Sequence, residues 1–198
     1  VLRLGQYWDY DAKKWAGVAG GKFPGELGVG AVAVDWDGDG DLDLVLGSNS
    51  GNLYLRINEG TPGKPAYATE SVQLTAVDGS PLRGAGGDAI PTIADWDGDG
   101  LFDILTGGSN GGVVWMRNVG KKGAPAFARA EVLIEPSGAS TTTGEPAWPA
   151  QRTQVHVVDY DGDGVLDLLV GDHSPGGGSQ LKDWHGWVWL FRRRAPGR

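Results

Sequence analysis

The chain of 198 residues has no cysteine, so disulfides contribute nothing and thiols say nothing about the redox compartment. No stretch reaches the eighteen or so apolar residues that span a bilayer, and no charged-then-apolar leader opens the sequence. It starts at Val1 rather than Met, so something upstream is expected to have been removed or omitted. Histidines number three, and no Ser-His-Asp order, phosphate loop or open transition-metal site is present, which removes the commonest routes to catalysis. Extended basic segments are missing too. Arg192-Arg193-Arg194 with Arg198 reads as a solvated tail rather than a nucleic-acid patch.

What is abundant is glycine, at 35 residues, with 11 prolines beside it, a composition of many turns and short strands rather than helices. With 40% hydrophobic residues the chain can bury a core, and one domain or part of a larger one is expected. The organising stretch is Asp35-Trp36-Asp37-Gly38-Asp39-Gly40-Asp41-Leu42-Asp43, running into Leu44-Val45-Leu46-Gly47. It recurs from Asp95 to Asp103 ahead of Ile104-Leu105-Thr106-Gly107, and from Asp159 to Asp167 ahead of Leu168-Leu169-Val170-Gly171.

Carboxylates at loop positions 1, 3 and 5 converge only if the backbone curls tightly, which glycines at positions 4 and 6 permit. A dense oxygen-only donor set suits a hard cation, and a flexible loop supplying six or more oxygens favours Ca2+ over Mg2+. The expected side-chain ligands are Asp35, Asp37, Asp39 and Asp43; Asp95, Asp97, Asp99 and Asp103; and Asp159, Asp161, Asp163 and Asp167. The carbonyls of Asp41, Leu101 and Val165 would fill position 7, giving about three sites. An EF-hand is excluded, because position 12 would be a bidentate Glu between helices and is here Leu46, Thr106 or Val170 in apolar, strand-like runs. The competing reading is an Asp-Gly turn that binds nothing, but four carboxylates within nine residues repel unless a cation sits among them. Of the 25 acidic residues, 13 lie in these loops, and three Ca2+ would offset six of the eight net negative charges.

These loops resemble the calcium loops of VCBS and FG-GAP-type repeats, the β-propeller blades of integrin α-subunit heads, some lectins, polysaccharide lyases and many secreted bacterial proteins. The FG-GAP signature is echoed only by Leu27-Gly28-Val29-Gly30-Ala31, so the VCBS-like subclass is the closer likeness. The resemblance implies an all-β fold of four-stranded antiparallel blades. Loop origins at Asp35, Asp95 and Asp159 give a repeat of propeller length. Residues 1–28 are expected to end a preceding blade or supply a closing strand, 29–86 to form blade 1, 87–150 blade 2, and 151–198 blade 3 with an insertion between its second and third strands and a basic tail. Tyr7, Tyr67 and Phe127 share the repeat frame, so the chain begins within a blade.

Strands are expected at Gly30–Val34, Leu42–Leu46, Asn52–Ile57 and Thr69–Ala76, then at Ile90–Ala94, Phe102–Thr106, Gly112–Met116 and Ala128–Ile134. In the third blade Thr153–Val158, Leu166–Val170 and Gly186–Arg192 leave it one strand short, a partial ring or half of a larger propeller. Because three blades cannot close a ring, a protein partner, self-association or a longer polypeptide is expected to complete it. The second strands, apolar on both faces, should lie between neighbouring sheets, and Trp36, Trp96 and Tyr160 should pack between adjacent loops.

On the face opposite the loops, residues 172–185 form an insertion where the other blades have a short turn. The plainer reading is a flexible surface insertion; as a binding site it would use Trp184, His185, Asp183 and His173 with Trp148 and Arg152, a set suited to a glycan. His156 reads as a core or channel-lining residue. Two functions remain: a calcium-stabilised, non-catalytic module binding a glycan or protein, which is favoured, or part of an enzyme similar to propeller-fold polysaccharide lyases. Calcium modules binding at about 10⁻⁴ to 10⁻³ M work outside cells, so an extracytoplasmic location is expected, without nucleic acid or membrane insertion.

Overall fold

A computed structural model describes residues 6–9, 12–17, 28–61, 63–136, 149–173 and 186–194. Its described residues contain strands, turns and no helix. An antiparallel hairpin, β1 (Gln6–Asp9) and β2 (Lys14–Gly17), precedes three antiparallel sheets. The first comprises β3 (Gly28–Val34), β4 (Asp43–Ser48), β5 (Leu53–Arg56) and β6 (Val72–Gln73) in chain order. The second comprises β7 (Pro91–Ala94), β8 (Asp103–Thr106), β9 (Val113–Met116) and β10 (Glu131–Ile134). The third holds β11 (Gln151–Val158), β12 (Asp167–His173) and β13 (Val188–Phe191).

Simple up-and-down order puts every aspartate-rich loop, joining first to second strand, at one end of the sheets. The second strands are sandwiched as their composition implies. Ile104 lies in an apolar cluster with Val45, Leu53 and Trp36 of the first sheet, while its neighbour Leu105 lies in another with Val155, Leu168 and Val170 of the third. Alternation of side chains along a strand sends the two to opposite faces.

The blades meet through backbone as well as side chains. A Cβ on Gly47 would stand 1.9 Å from the Ala89 carbonyl oxygen, and one on Gly107 would stand 2.1 Å from that of Thr153. Both positions require glycine for close approach, not for φ. Alongside, Ala89 N–H donates to the Ser48 carbonyl at 2.9 Å, and Thr153 N–H to that of Gly108 at 3.0 Å. The Thr153 hydroxyl also accepts from Gly108 N–H at 3.0 Å and donates to the Gly112 carbonyl at 2.9 Å.

Strand edges depart from expectation where backbone groups are engaged elsewhere. The outer strand expected at 69–76 pairs only at Val72–Gln73, because Ala76 N–H turns back to the Ser80 carbonyl and Val77 N–H crosses to that of Phe127 in the next blade. The strand expected from Ala128 starts at Glu131, since Ala128 N–H closes the hairpin onto the Arg117 carbonyl. In the other direction, β12 continues past Val170 to His173.

In the third sheet no fourth strand exists among the described residues. Its far face is open: Val188 is 77% exposed and Tyr160 60%, with Leu190 and His156 exposed beside them. The equivalent Trp36 is buried against Phe102 and Phe127, with ring centroids at 5.7 and 5.6 Å. Trp96 is buried under the Arg193 guanidinium, 4.0 Å from its ring. Trp36 thus packs against the following blade as expected, whereas among the described residues no further blade covers Tyr160.

Candidate functional site

Each loop curls through two glycines in the left-handed region, at φ +82° and +93° for Gly38 and Gly40. Aspartate side chains then fold back on the backbone: Gly38 N–H donates to Asp35 Oδ1 at 2.8 Å, and Asp41 N–H to Asp39 Oδ1 at 3.0 Å. The second loop repeats this with Gly98 N–H to Asp95 and Leu101 N–H to Asp99, both at 2.9 Å. In the third, Asp163 N–H donates to Asp159 at 3.1 Å and Val165 N–H to Asp163 at 2.9 Å.

The structure gathers carboxylate oxygens of Asp35, Asp37 and Asp39 within 4.8 Å of one another, and likewise Asp95, Asp97 and Asp99. In the third loop the group is Asp159, Asp161 and Asp167, with Asp163 outside it. The donors are all oxygen, as a hard divalent cation requires. The first loop adds an observation of its own: Asp41 is buried and its Oδ1 has no hydrogen-bond partner. Burial, then repulsion from Asp39, Asp43, Asp37 and Asp35, pushes the Asp41 carboxyl above its ordinary range. Such a site is short of positive charge, so the residues present fit a cation.

The ninth-position aspartates also anchor backbone amides. Asp43 accepts the N–H of Trp36 at 3.0 Å and of Asn58 at 2.7 Å. Asp103 accepts those of Trp96 and Asn118 at 3.1 and 2.7 Å, and Asp167 those of Tyr160 and Arg193 at 3.2 and 2.7 Å. Each carboxylate ties its loop's entry to the far end of the third strand. Burial raises the pKa of Asp43 and Asp103, opposed by these backbone bonds.

Sequence reading missed three features around the loops. Asn58 Oδ1 accepts Gly60 and Ala66 N–H at 3.1 and 2.8 Å, and Asn118 Oδ1 accepts Gly120 and Ala126 N–H at 2.9 and 3.2 Å. These asparagines fold the hairpin to the outer strand, and their spacing, equal to that of the first two loops, was the available signal. Arg193 stands at the same register in the third blade and offers no acceptor. Arginines also reach loops two and three: Arg117 Nε lies 2.6 Å from Asp97, and Arg192 pairs with Asp161. Ile57 occupies that repeat position in the first blade.

At the opposite end, a cavity of about 570 Å³ opens among the starts of β3, β7 and β11. Arg152 and His173 both line it, so two expected ligand residues meet there, joined by Asn49, Asp88, Gln154 and Asp172. Asp172 accepts N–H from Ala150 at 2.7 Å and Trp187 at 2.8 Å, and indole N–H from Trp189 at 3.1 Å, which secures the third blade's ends. Trp148, Asp183, Trp184 and His185 fall outside the described residues.

No curated protein and no solved structure matches the chain. The FG-GAP-like repeat matches twice, at residues 35–106 and 95–170, each match running from one aspartate loop through the second strand of the next blade. Those matches cover more than half of the sequence and coincide with the structural repeat, so the chain belongs to the FG-GAP-like repeat family and its sheets are β-propeller blades.

Proposed function

We propose that this chain is a calcium-binding propeller segment that works outside the cytoplasm as a non-catalytic binding and assembly module. The ions would be held by the three aspartate clusters, with the loop-7 carbonyls of Asp41, Leu101 and Val165 completing them. Assembly rests on one observation above the others. In blades one and two the glycine four residues beyond the loop's ninth aspartate, Gly47 or Gly107, presses on the next blade's backbone, whereas nothing lies within 4 Å of a Cβ on the equivalent Gly171. Gly171 retains the residue type that blade contact demands, beside the exposed Tyr160, Val188 and Leu190. A further blade of the same repeat, supplied by a protein partner or a second copy, fits this face.

Calorimetric titration should find about three Ca2+ per chain, and EDTA should lower Tm reversibly; unchanged melting in calcium, EDTA and the Asp37→Ala variant would sink the metal reading. Sedimentation velocity tests assembly. Self-association or partner capture that is lost in Leu190→Asp, with Ca2+ binding retained, supports it; a strict monomer with no partner contact at that face refutes it. A glycan array run with and without EDTA tests ligand binding at the opposite end. Cleavage of uronate polymers would instead favour the lyase-like reading.

A further inference from the structure

We propose that the cavity opposite the loops binds a neutral, polyhydroxylated ligand of monosaccharide size, and that Asp88 and Arg152 are the pair that reads it. This rests on the binding-module reading and narrows its ligand class. The cavity's size, about 570 Å³, lies within the roughly 300–1,000 Å³ of small-molecule pockets.

Backbone conformation shows what is unusual about the pair. Ala31, Pro91 and Val155 are equivalent, since they oppose Leu46, Thr106 and Val170 in their respective second strands. Asp88 and Arg152 each stand three residues before that point, where regular pairing has lapsed: the second ladder starts at Pro91, and the third shifts register between Gln151 and Gln154. Asp88 adopts φ +52° and Arg152 φ +48°, in the left-handed region that L side chains disfavour. Glycine at either position would remove that strain. Charged side chains kept at strained positions of a cavity wall lower stability unless something offsets them, and such outliers gather at ligand clamps.

Their mutual attraction is a poor offset. Arg152 Nε lies 3.3 Å from Asp88 Oδ2, with the arginine side chain 62% exposed, and solvent screens a pair of that kind. What the pair does offer is an acceptor-only carboxylate beside a donor-only guanidinium. A hydroxyl both donates and accepts, so two adjacent hydroxyls match the pair: one donates to Asp88 while its neighbour accepts from Arg152. Gln154 adds an amide capable of both roles, and Val29 and Ile90 supply apolar wall for the C–H face of a ring.

Charge sets the preference for a neutral ligand. Among the described lining residues the carboxylates of Asp88 and Asp172 outnumber the Arg152 guanidinium, with the His173 imidazole beside them, so a carboxylated or phosphorylated sugar meets no excess of fixed positive charge.

The test uses the full chain in calcium buffer, with saturation-transfer NMR against D-galactose, D-mannose, myo-inositol and D-glucuronate at millimolar concentration. At least one neutral probe should bind, and D-glucuronate should bind at least tenfold more weakly. Asp88→Gly and Arg152→Gly should each weaken the neutral probe at least tenfold while Tm stays level or rises, because strain is relieved. A purely structural latch would lower Tm instead, and that result overturns the proposal. So would binding of no neutral probe, preference for D-glucuronate, or glycine variants that bind as the unaltered chain does. If calcium titration and assembly behave as proposed while these outcomes fail, only the ligand assignment falls.

Discussion

At the scale of single residues, the first two aspartate loops divide their carboxylates between two jobs, whereas Asp167 of the third has both. Asp103, fully buried, holds Trp96 and Asn118 by their amides, whereas Asp97 and its partners gather at the rim. Asp103→Ala strands two buried donors and should cost about 3 kcal/mol whether or not calcium is present. Asp97→Ala should leave stability in EDTA nearly unchanged and reduce only the increment added by calcium. Denaturant midpoints for both variants with and without EDTA check the contrast. The arginines add a second distinction. Arg117 would compete with a bound cation for Asp97, while the first loop has Ile57 at that position and an extra carboxylate in Asp41. Arg117→Ile should tighten calcium at the second loop roughly fivefold, the effect of removing about 1 kcal/mol of like-charge repulsion. Calorimetry in an Asp37→Ala, Asp161→Ala background isolates that loop.

At the scale of elements, the second strands were legible because their apolar runs follow loops that can be located to the residue. Outer strands were not, since Val72–Gln73 is cut short where the Val77 amide crosses to Phe127 of the next blade, and Glu131–Ile134 starts late because the Ala128 amide closes its own hairpin onto Arg117. No local propensity encodes that. The candidate metal residues were legible as a pattern, but the pattern does not separate Asp103, whose partners lie 7 and 15 residues away, from the rim carboxylates. The cavity was half legible: Arg152 and His173 came from an irregular third repeat, whereas Asp88 is visible only once the fold brings it beside Arg152. Strand contacts between blades also make a prediction. Gly107→Ala places a methyl group 2.1 Å from a backbone oxygen and should cost about 2–3 kcal/mol in thermal or denaturant unfolding.

At the scale of the molecule, charges that bridge blades tie its stability to pH. Asp78 of the first blade accepts from the Ser80 hydroxyl at 2.6 Å and amide at 2.9 Å, and pairs with Arg129 of the second. The Ser80 bonds chiefly, then the Arg129 bond, hold its carboxyl well below 3.8, the ordinary value. A carboxyl depressed on folding contributes stability that is present above about pH 4 and lost as pH falls below it. Asp78→Asn should therefore lower Tm at pH 7, and the gap between variant and unaltered chain should narrow steadily from pH 4 toward pH 2. Parallel melting curves with a constant gap would contradict the assignment.

The glycine seats at Gly47 and Gly107 carry a last consequence. Because neighbouring sheets rest on each other's main chain there, the angular step between them is set by atoms that every amino acid shares. Side chains elsewhere in the interface can drift without changing the pitch, so an engineered duplicate of the middle unit should extend the array at the same step.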